Sequence, residues 1–96
     1  MCGIAGFYKN NKGITTSLAE NILKKMTNSL SHRGPDHLNY WYSEEDDIFF
    51  SHSRLSILDL SSNGNQPMFS KSNRYVITFN GEIYNHLEIR NKINKK

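Results

Sequence analysis

One cysteine in 96 residues, Cys2, excludes an internal disulfide framework and fits a reducing compartment. No apolar run approaches the roughly 20 residues that cross a bilayer. No charged-then-apolar leader opens the chain, so the cytoplasm is the expected location and a membrane is not an expected partner. Lys and Arg outnumber Asp and Glu by 12 to 9, but they are scattered, so no nucleic-acid partner is expected. A GxxxxGK[ST] phosphate loop is absent. The four histidines (His32, His37, His52, His86) lack zinc-ligand spacing with Cys2, so no metal is expected in this portion. Repeats and low-complexity linkers are missing too. What is left is one ordinary globular domain, or part of one, able to bury somewhat over roughly 60% of its unfolded surface.

The pattern of residues predicts the order strand, helix, several strands, helix, hence an α+β domain with mainly antiparallel sheet. Residues 2–8 read as a buried strand and 10–13 as a polar turn. Ser17 and Glu20 suggest a capping box opening a helix with an apolar stripe of Leu18, Ile22, Leu23, Met26 and Leu30. Gly34–Pro35 reads as its stop, with glycine as a left-handed cap. Residues 39–42 and 48–51 suggest a hairpin, and 54–60 a further strand. After a polar loop over 61–66, the run 75–79 is the clearest strand, followed by Asn80–Gly81, a tight-turn pair. From Ile83 onward Leu87, Arg90 and Ile93 suggest an amphipathic helix that reaches Lys96 without a stop signal, so the natural chain is expected to continue.

Cys2 follows the initiator methionine directly. Removal of Met1 would leave a thiol and a free α-amine on one residue. That amine, with a reference pKa of about 7.7–8.0, can be neutral near physiological pH and act as base for its own thiol. It opens the first of four segments that stand together: Cys2-Gly3-Ile4-Ala5-Gly6, His32-Arg33-Gly34-Pro35-Asp36, His52-Ser53-Arg54-Leu55-Ser56-Ile57 and Asn80-Gly81-Glu82-Ile83-Tyr84-Asn85. With Gln66-Pro67-Met68 between them, their order and spacing closely resemble the glutaminase domain of class II glutamine amidotransferases. The match is closest to the glutamine-hydrolysing asparagine synthetase branch.

The resemblance implies that Cys2 attacks the side-chain amide of glutamine, giving a thioester and ammonia, and that water then releases glutamate. It implies that the Asn80 side chain and the Gly81 N–H meet the oxyanion. Arg54 would hold the α-carboxylate, Glu82 the α-ammonium, and Leu55, Ser56, Ile57 and Leu58 would line the pocket. Loss of one oxyanion donor typically costs about 3–4 kcal/mol of transition-state stabilisation. Glycine at 81 would allow close backbone approach and a positive φ. The implied fold is the αββα sandwich of N-terminal-nucleophile hydrolases, of which residues 1–96 would be the first portion, a single incomplete domain. No cofactor is implied for this portion. ATP and Mg²⁺ belong to the expected C-terminal synthetase domain, which would use the ammonia to amidate aspartate or a related acceptor. Glutamine and that domain are the implied partners, with a homodimer left open.

Each residue also has a plainer reading. Cys2 could be a small residue at a frayed end, Arg54 a surface cation, Asn80–Gly81 a hairpin turn and Glu82 a solvated carboxylate. His32–Asp36 reads as a structural helix stop shaping the loop near the nucleophile. A catalytically silent structural or regulatory fragment is the alternative to the enzyme.

Overall fold

The computed structural model describes residues 2–56 and 61–95. Among these residues two α-helices and five strands run in the order β1 (Gly3–Tyr8), α1 (Thr16–Ser29), β2 (His37–Ser43), β3 (Ile48–Arg54), β4 (Met68–Phe69), β5 (Val76–Ile77) and α2 (His86–Asn94). The first three strands form an antiparallel sheet in the order β1-β3-β2, while β4 and β5 form a separate antiparallel pair. The described part is therefore α+β with antiparallel sheets, as the pattern predicted.

Side chains alternate across a strand, so the register divides the three-stranded sheet into two faces. One carries Gly3, Ala5 and Phe7 beside Phe49, Ser51 and Ser53, with Leu38, Tyr40 and Tyr42 beyond. Helix α1 packs on this face. The core is small: Ala19 and Leu23 of α1 and Phe49 of β3, with Phe7, Ile14, Tyr40 and Tyr42 around them. Phe49 is stacked between its two cross-strand neighbours, with ring centroids 4.5 Å from Phe7 and 5.3 Å from Tyr42. Such pairs add to the area term that dominates burial. Glu20 accepts hydrogen bonds from the Tyr40 and Tyr42 hydroxyls at 2.9 and 3.3 Å, tying the helix to β2.

Several expectations are corrected. Thr15, not Ser17, caps α1: its backbone is extended and its Oγ1 accepts from the Leu18 N–H at 3.1 Å. The buried stripe is Ala19, Leu23 and Thr27, whereas Leu18 and Ile22 are 50% and 38% exposed. Small residues at 19 and 27 let the helix lie close to the sheet, and Thr27 satisfies its own hydroxyl on the Leu23 carbonyl. The helix stops at Leu30 in right-handed geometry, before Gly34–Pro35. No glycine has a positive φ. Gly34 is required for another reason: a Cβ there would lie 2.5 Å from the Arg54 carbonyl carbon.

β1 buries only Gly3 fully, because it is an edge strand packed on one face. The hairpin is real but longer than predicted, spanning His37–Ser43 and Ile48–Arg54. Arg54 ends β3 instead of opening a new strand, since the Asp36 N–H bonds the Arg54 carbonyl and the Asp36 carboxylate takes the Ser56 N–H. The rest of that predicted strand, 57–60, lies outside the described residues. Of 75–79 only Val76–Ile77 is strand: Thr78 and Phe79 leave the ladder for bonds to β3 and Gln66. Asn80–Gly81 is no hairpin turn, for no described strand follows it. Helix α2 forms where predicted but buries no residue.

Phe49→Ala would empty the centre of the stack, and such truncations cost about 3–5 kcal/mol. With a core this small, the variant is expected to lose its cooperative denaturant transition, as followed by circular dichroism.

Candidate functional site

The antiparallel pairing Gly3↔Ser53 places Cys2 beside the end of β3. There the Leu55 N–H points at the Cys2 Sγ at 3.4 Å, and the thiol lies 3.8 Å from the Leu55 carbonyl. Glycine at position 3 permits this closeness: an added Cβ would lie 2.8 Å from the Ser53 Oγ and 3.3 Å from Arg33 Cβ. Cys2 is half-buried, which excludes the frayed-end reading for its side chain.

Arg54 is 7% exposed, so it is no surface cation. Its Nη1 donates to the Ser61 carbonyl and, at 2.9 Å, to the Asn65 Oδ1. Gly64, in the short 3₁₀ turn Ser62–Gly64, lies against the guanidinium: a Cβ there would sit 2.7 Å from Cζ. The polar 61–66 loop thus serves as a cradle for one buried cation. Asp36 braces the same corner from the other side through its bonds to the Arg54 carbonyl and, at 2.7 Å, the Ser56 N–H. Leu55, whose backbone holds the sulfur, is therefore pinned at both flanks.

Asn80, Gly81 and Glu82 are exposed. They follow Phe79, whose carbonyl lies 3.2 Å from the Nε2 of buried His52 on β3. Among the described residues no hydrogen bond links the three to Cys2 or Arg54. Gly81 needs no positive φ, but it packs closely on its neighbour: an added Cβ would sit 2.8 Å from the Phe79 ring. Ile57 and Leu58 lie outside the described residues. No group of three His, Cys, Asp or Glu among the described residues is suited to a metal ion, and no helix among them is long and apolar enough to cross a membrane.

A glutamine amidotransferase domain model matches residues 1–96. The chain belongs to this family. It is 38% identical over 96 residues to a protein named asparagine synthetase [glutamine-hydrolyzing] 1 from Bacillus subtilis (strain 168), covering 100% of this chain and 15% of that relative. It is 42% identical over 71 residues to the asparagine synthetase [glutamine-hydrolyzing] of Asparagus officinalis, covering 72% of this chain and 11% of that one. A third relative, amidase chry2 of Gibberella zeae, is 33% identical over 93 residues, covering 90% of this chain and 14% of the relative. The chain spans about 15% or less of the length of these relatives. No solved structure gives a significant match.

Within this glutamine amidotransferase domain the structure gathers Cys2, Leu55 and Arg54 in one corner. It leaves Asn80–Glu82 one residue beyond a tether to the same sheet. Asp36, Gly64 and Asn65 were not singled out as site residues from sequence. Their part is to hold backbone and guanidinium in place, and only the position of Asp36 inside the His32–Asp36 motif signalled it. His52 was set aside as an unneeded base. Burial pushes its imidazole below the ordinary value of 6.5, helped by the nearby His37 and Arg54 charges and opposed by the bond to Phe79.

That shift has a definite sign. The unfolded chain takes up the His52 proton more readily than the folded one, so stability is intact above about pH 6.5 and falls as pH drops below it. Denaturant midpoints between pH 7.5 and 5 are expected to decline, and to decline less in His52→Gln.

Proposed function

We propose that this domain is an N-terminal-nucleophile glutaminase, the ammonia-producing part of an asparagine synthetase-like enzyme. The observation that carries the reading is the Cys2 sulfur held against Leu55 next to buried Arg54. Loss of Met1 frees the Cys2 α-amine, which takes the thiol proton. The thiolate then adds to the glutamine side-chain carbonyl. The carbonyl π electrons move to oxygen, and the oxyanion lies against the Asn80 amide and the Gly81 N–H. When the tetrahedral centre collapses, the C–N bond breaks, the nitrogen takes the proton from the α-amine, and ammonia leaves a thioester on Cys2. Water adds to the thioester, the C–S bond breaks, and glutamate departs with the thiol restored.

Arg54 suits the α-carboxylate because a guanidinium carries five N–H donors in a planar fork, a geometry lysine lacks. Glu82 suits the α-ammonium, and Leu55, Ser56, Ile57 and Leu58 form the pocket wall. For the chemistry to run, the Asn80 and Gly81 donors must face the carbonyl that is bonded to Cys2. The sandwich fold of N-terminal-nucleophile hydrolases agrees with the α+β arrangement. The relatives' length and names support a C-terminal synthetase domain that amidates aspartate or a related acceptor; that this domain uses ATP and Mg²⁺ rests on the family resemblance alone.

The second reading is a catalytically silent module. It is favoured by the apolar side chains left on the surface, with Ile83 55%, Leu87 61% and Ile93 64% exposed, and by the absence, among the described residues, of a hydrogen bond between Asn80–Glu82 and Cys2.

Glutamine hydrolysis separates the two. Cys2→Ala is expected to abolish ammonia release while keeping the wild-type circular dichroism spectrum. Asn80→Ala is expected to lower kcat roughly 10²–10³-fold with KM for glutamine little changed. Undiminished hydrolysis by Cys2→Ala would refute the nucleophile assignment, and a wild-type protein without Met1 that releases no ammonia would favour the silent module.

A further inference from the structure

His52 is a fully buried titratable residue that the chemistry above does not use. It sits on the face of the sheet opposite α1, with Ile4 and Asn39 as its cross-strand neighbours and Arg54 two residues further along the same face. Its Nε2 lies 3.2 Å from the Phe79 carbonyl. A carbonyl only accepts, so Nε2 carries the hydrogen. Nδ1 has no hydrogen-bond partner among the described residues, and burial disfavours the charged ring, so the geometry fits a neutral imidazole with its hydrogen on Nε2. A general base would face the sulfur it serves. This imidazole instead spends its one N–H on a backbone carbonyl.

That carbonyl is well placed to matter. It shares a peptide plane with the Asn80 N–H, so fixing its direction fixes how the chain enters Asn80 and Gly81. Phe79 is gripped on its other side as well, its N–H donating to the Gln66 Oε1 at 2.5 Å. The preceding Thr78 donates its hydroxyl to the Ser51 carbonyl at 3.3 Å. The Phe79 ring packs under Gly81. Of these three tethers, only the His52 bond acts on the carbonyl that leads directly into Asn80.

We propose that His52 is a positioning residue: through the Phe79 carbonyl it sets the orientation of the Asn80 and Gly81 donors relative to the strand that carries Arg54. The proposal rests on the glutaminase reading for its catalytic consequence, but its geometric content can be read without turnover. It assigns His52 no proton transfer and no contact with glutamine.

The test compares His52→Leu, which fills the space without a donor, with His52→Gln, whose amide can still donate to the Phe79 carbonyl. His52→Leu is expected to lower kcat about tenfold to a hundredfold with KM for glutamine within about twofold, because substrate binding rests on other groups. His52→Gln should recover most of the loss. In an Asn80→Ala background the His52→Leu effect should shrink several-fold, since both changes act on the same donors. Unchanged kcat, a matching rise in KM, or an equal loss in both backgrounds would overturn the proposal. Independently of activity, ¹⁵N NMR of the wild-type protein should show a neutral ring with the proton on Nε2. His52→Leu should shift the Asn80 and Gly81 amide resonances more than those of β4, and His52→Gln should shift them less than His52→Leu does. A proton on Nδ1, or Asn80 and Gly81 amides unmoved in His52→Leu, would also overturn it. If His52→Leu does not fold, the wild-type tautomer still decides. A wild-type protein that fails to hydrolyse glutamine while showing the expected NMR behaviour would refute the glutaminase reading and leave the positioning geometry standing.

Discussion

The antiparallel pairing of β1 with β3 is the constraint on which the rest depends. It sets Gly3 opposite Ser53, and from that register the neighbouring residues Cys2, Arg54 and Leu55 are forced into one corner. A one-residue slip would send every side chain of β1 to the other face. It would separate the sulfur from the Leu55 N–H and expose Phe7. The stack of Phe7, Phe49 and Tyr42 opposes such a slip, because it exists only in this register. The hydrophobic end of the strand pair thus fixes the geometry of its chemical end.

β3 itself is divided in two. Its first half supplies the core through Phe49, while Ser51, His52, Ser53 and Arg54 are buried yet polar. Buried polar groups are costly unless bonded, and the surrounding segments answer much of that need. The 61–65 loop takes the guanidinium, Phe79 takes the imidazole N–H, and Ala5 accepts from Ser51 at 3.4 Å. The Ser53 hydroxyl and His52 Nδ1 have no partner among the described residues. Concentrating polar groups in one strand gives up stability there and gains a rigid platform beside the nucleophile. Asp36 serves the same end, fastening the backbone on both sides of Leu55.

The sequence made much of this readable where local rules govern. The β2–β3 hairpin followed from two β-rich runs, 39–42 and 48–51, and α2 from its spacing. The position of Cys2 and the run from His52 to Ile57 flagged the corner they form. Tertiary contacts decided what was missed. Thr15 outcompetes Ser17 as cap, and Ala19 and Thr27 replace larger apolar residues in the interface because helix and sheet approach closely. Gly34 is read by local rules as a left-handed stop, but it is needed for packing on β3. Arg54 looked like the start of a strand and is the end of one, because Asp36, eighteen positions earlier, takes over the backbone bonding of residues 54 and 56. The Asn80–Gly81 pair carried a turn signal that the tethers on Phe79 override.

The central claim, that the sulfur of the second residue attacks a bound carboxamide, is tested most directly by covalent trapping. Treating the processed protein with a glutamine-analogue diazoketone and mapping the product by mass spectrometry should give one adduct per chain, on Cys2, with labelling slowed by added glutamine. Labelling that glutamine does not protect, or an adduct on any other residue with Cys2 unmodified, would contradict the account.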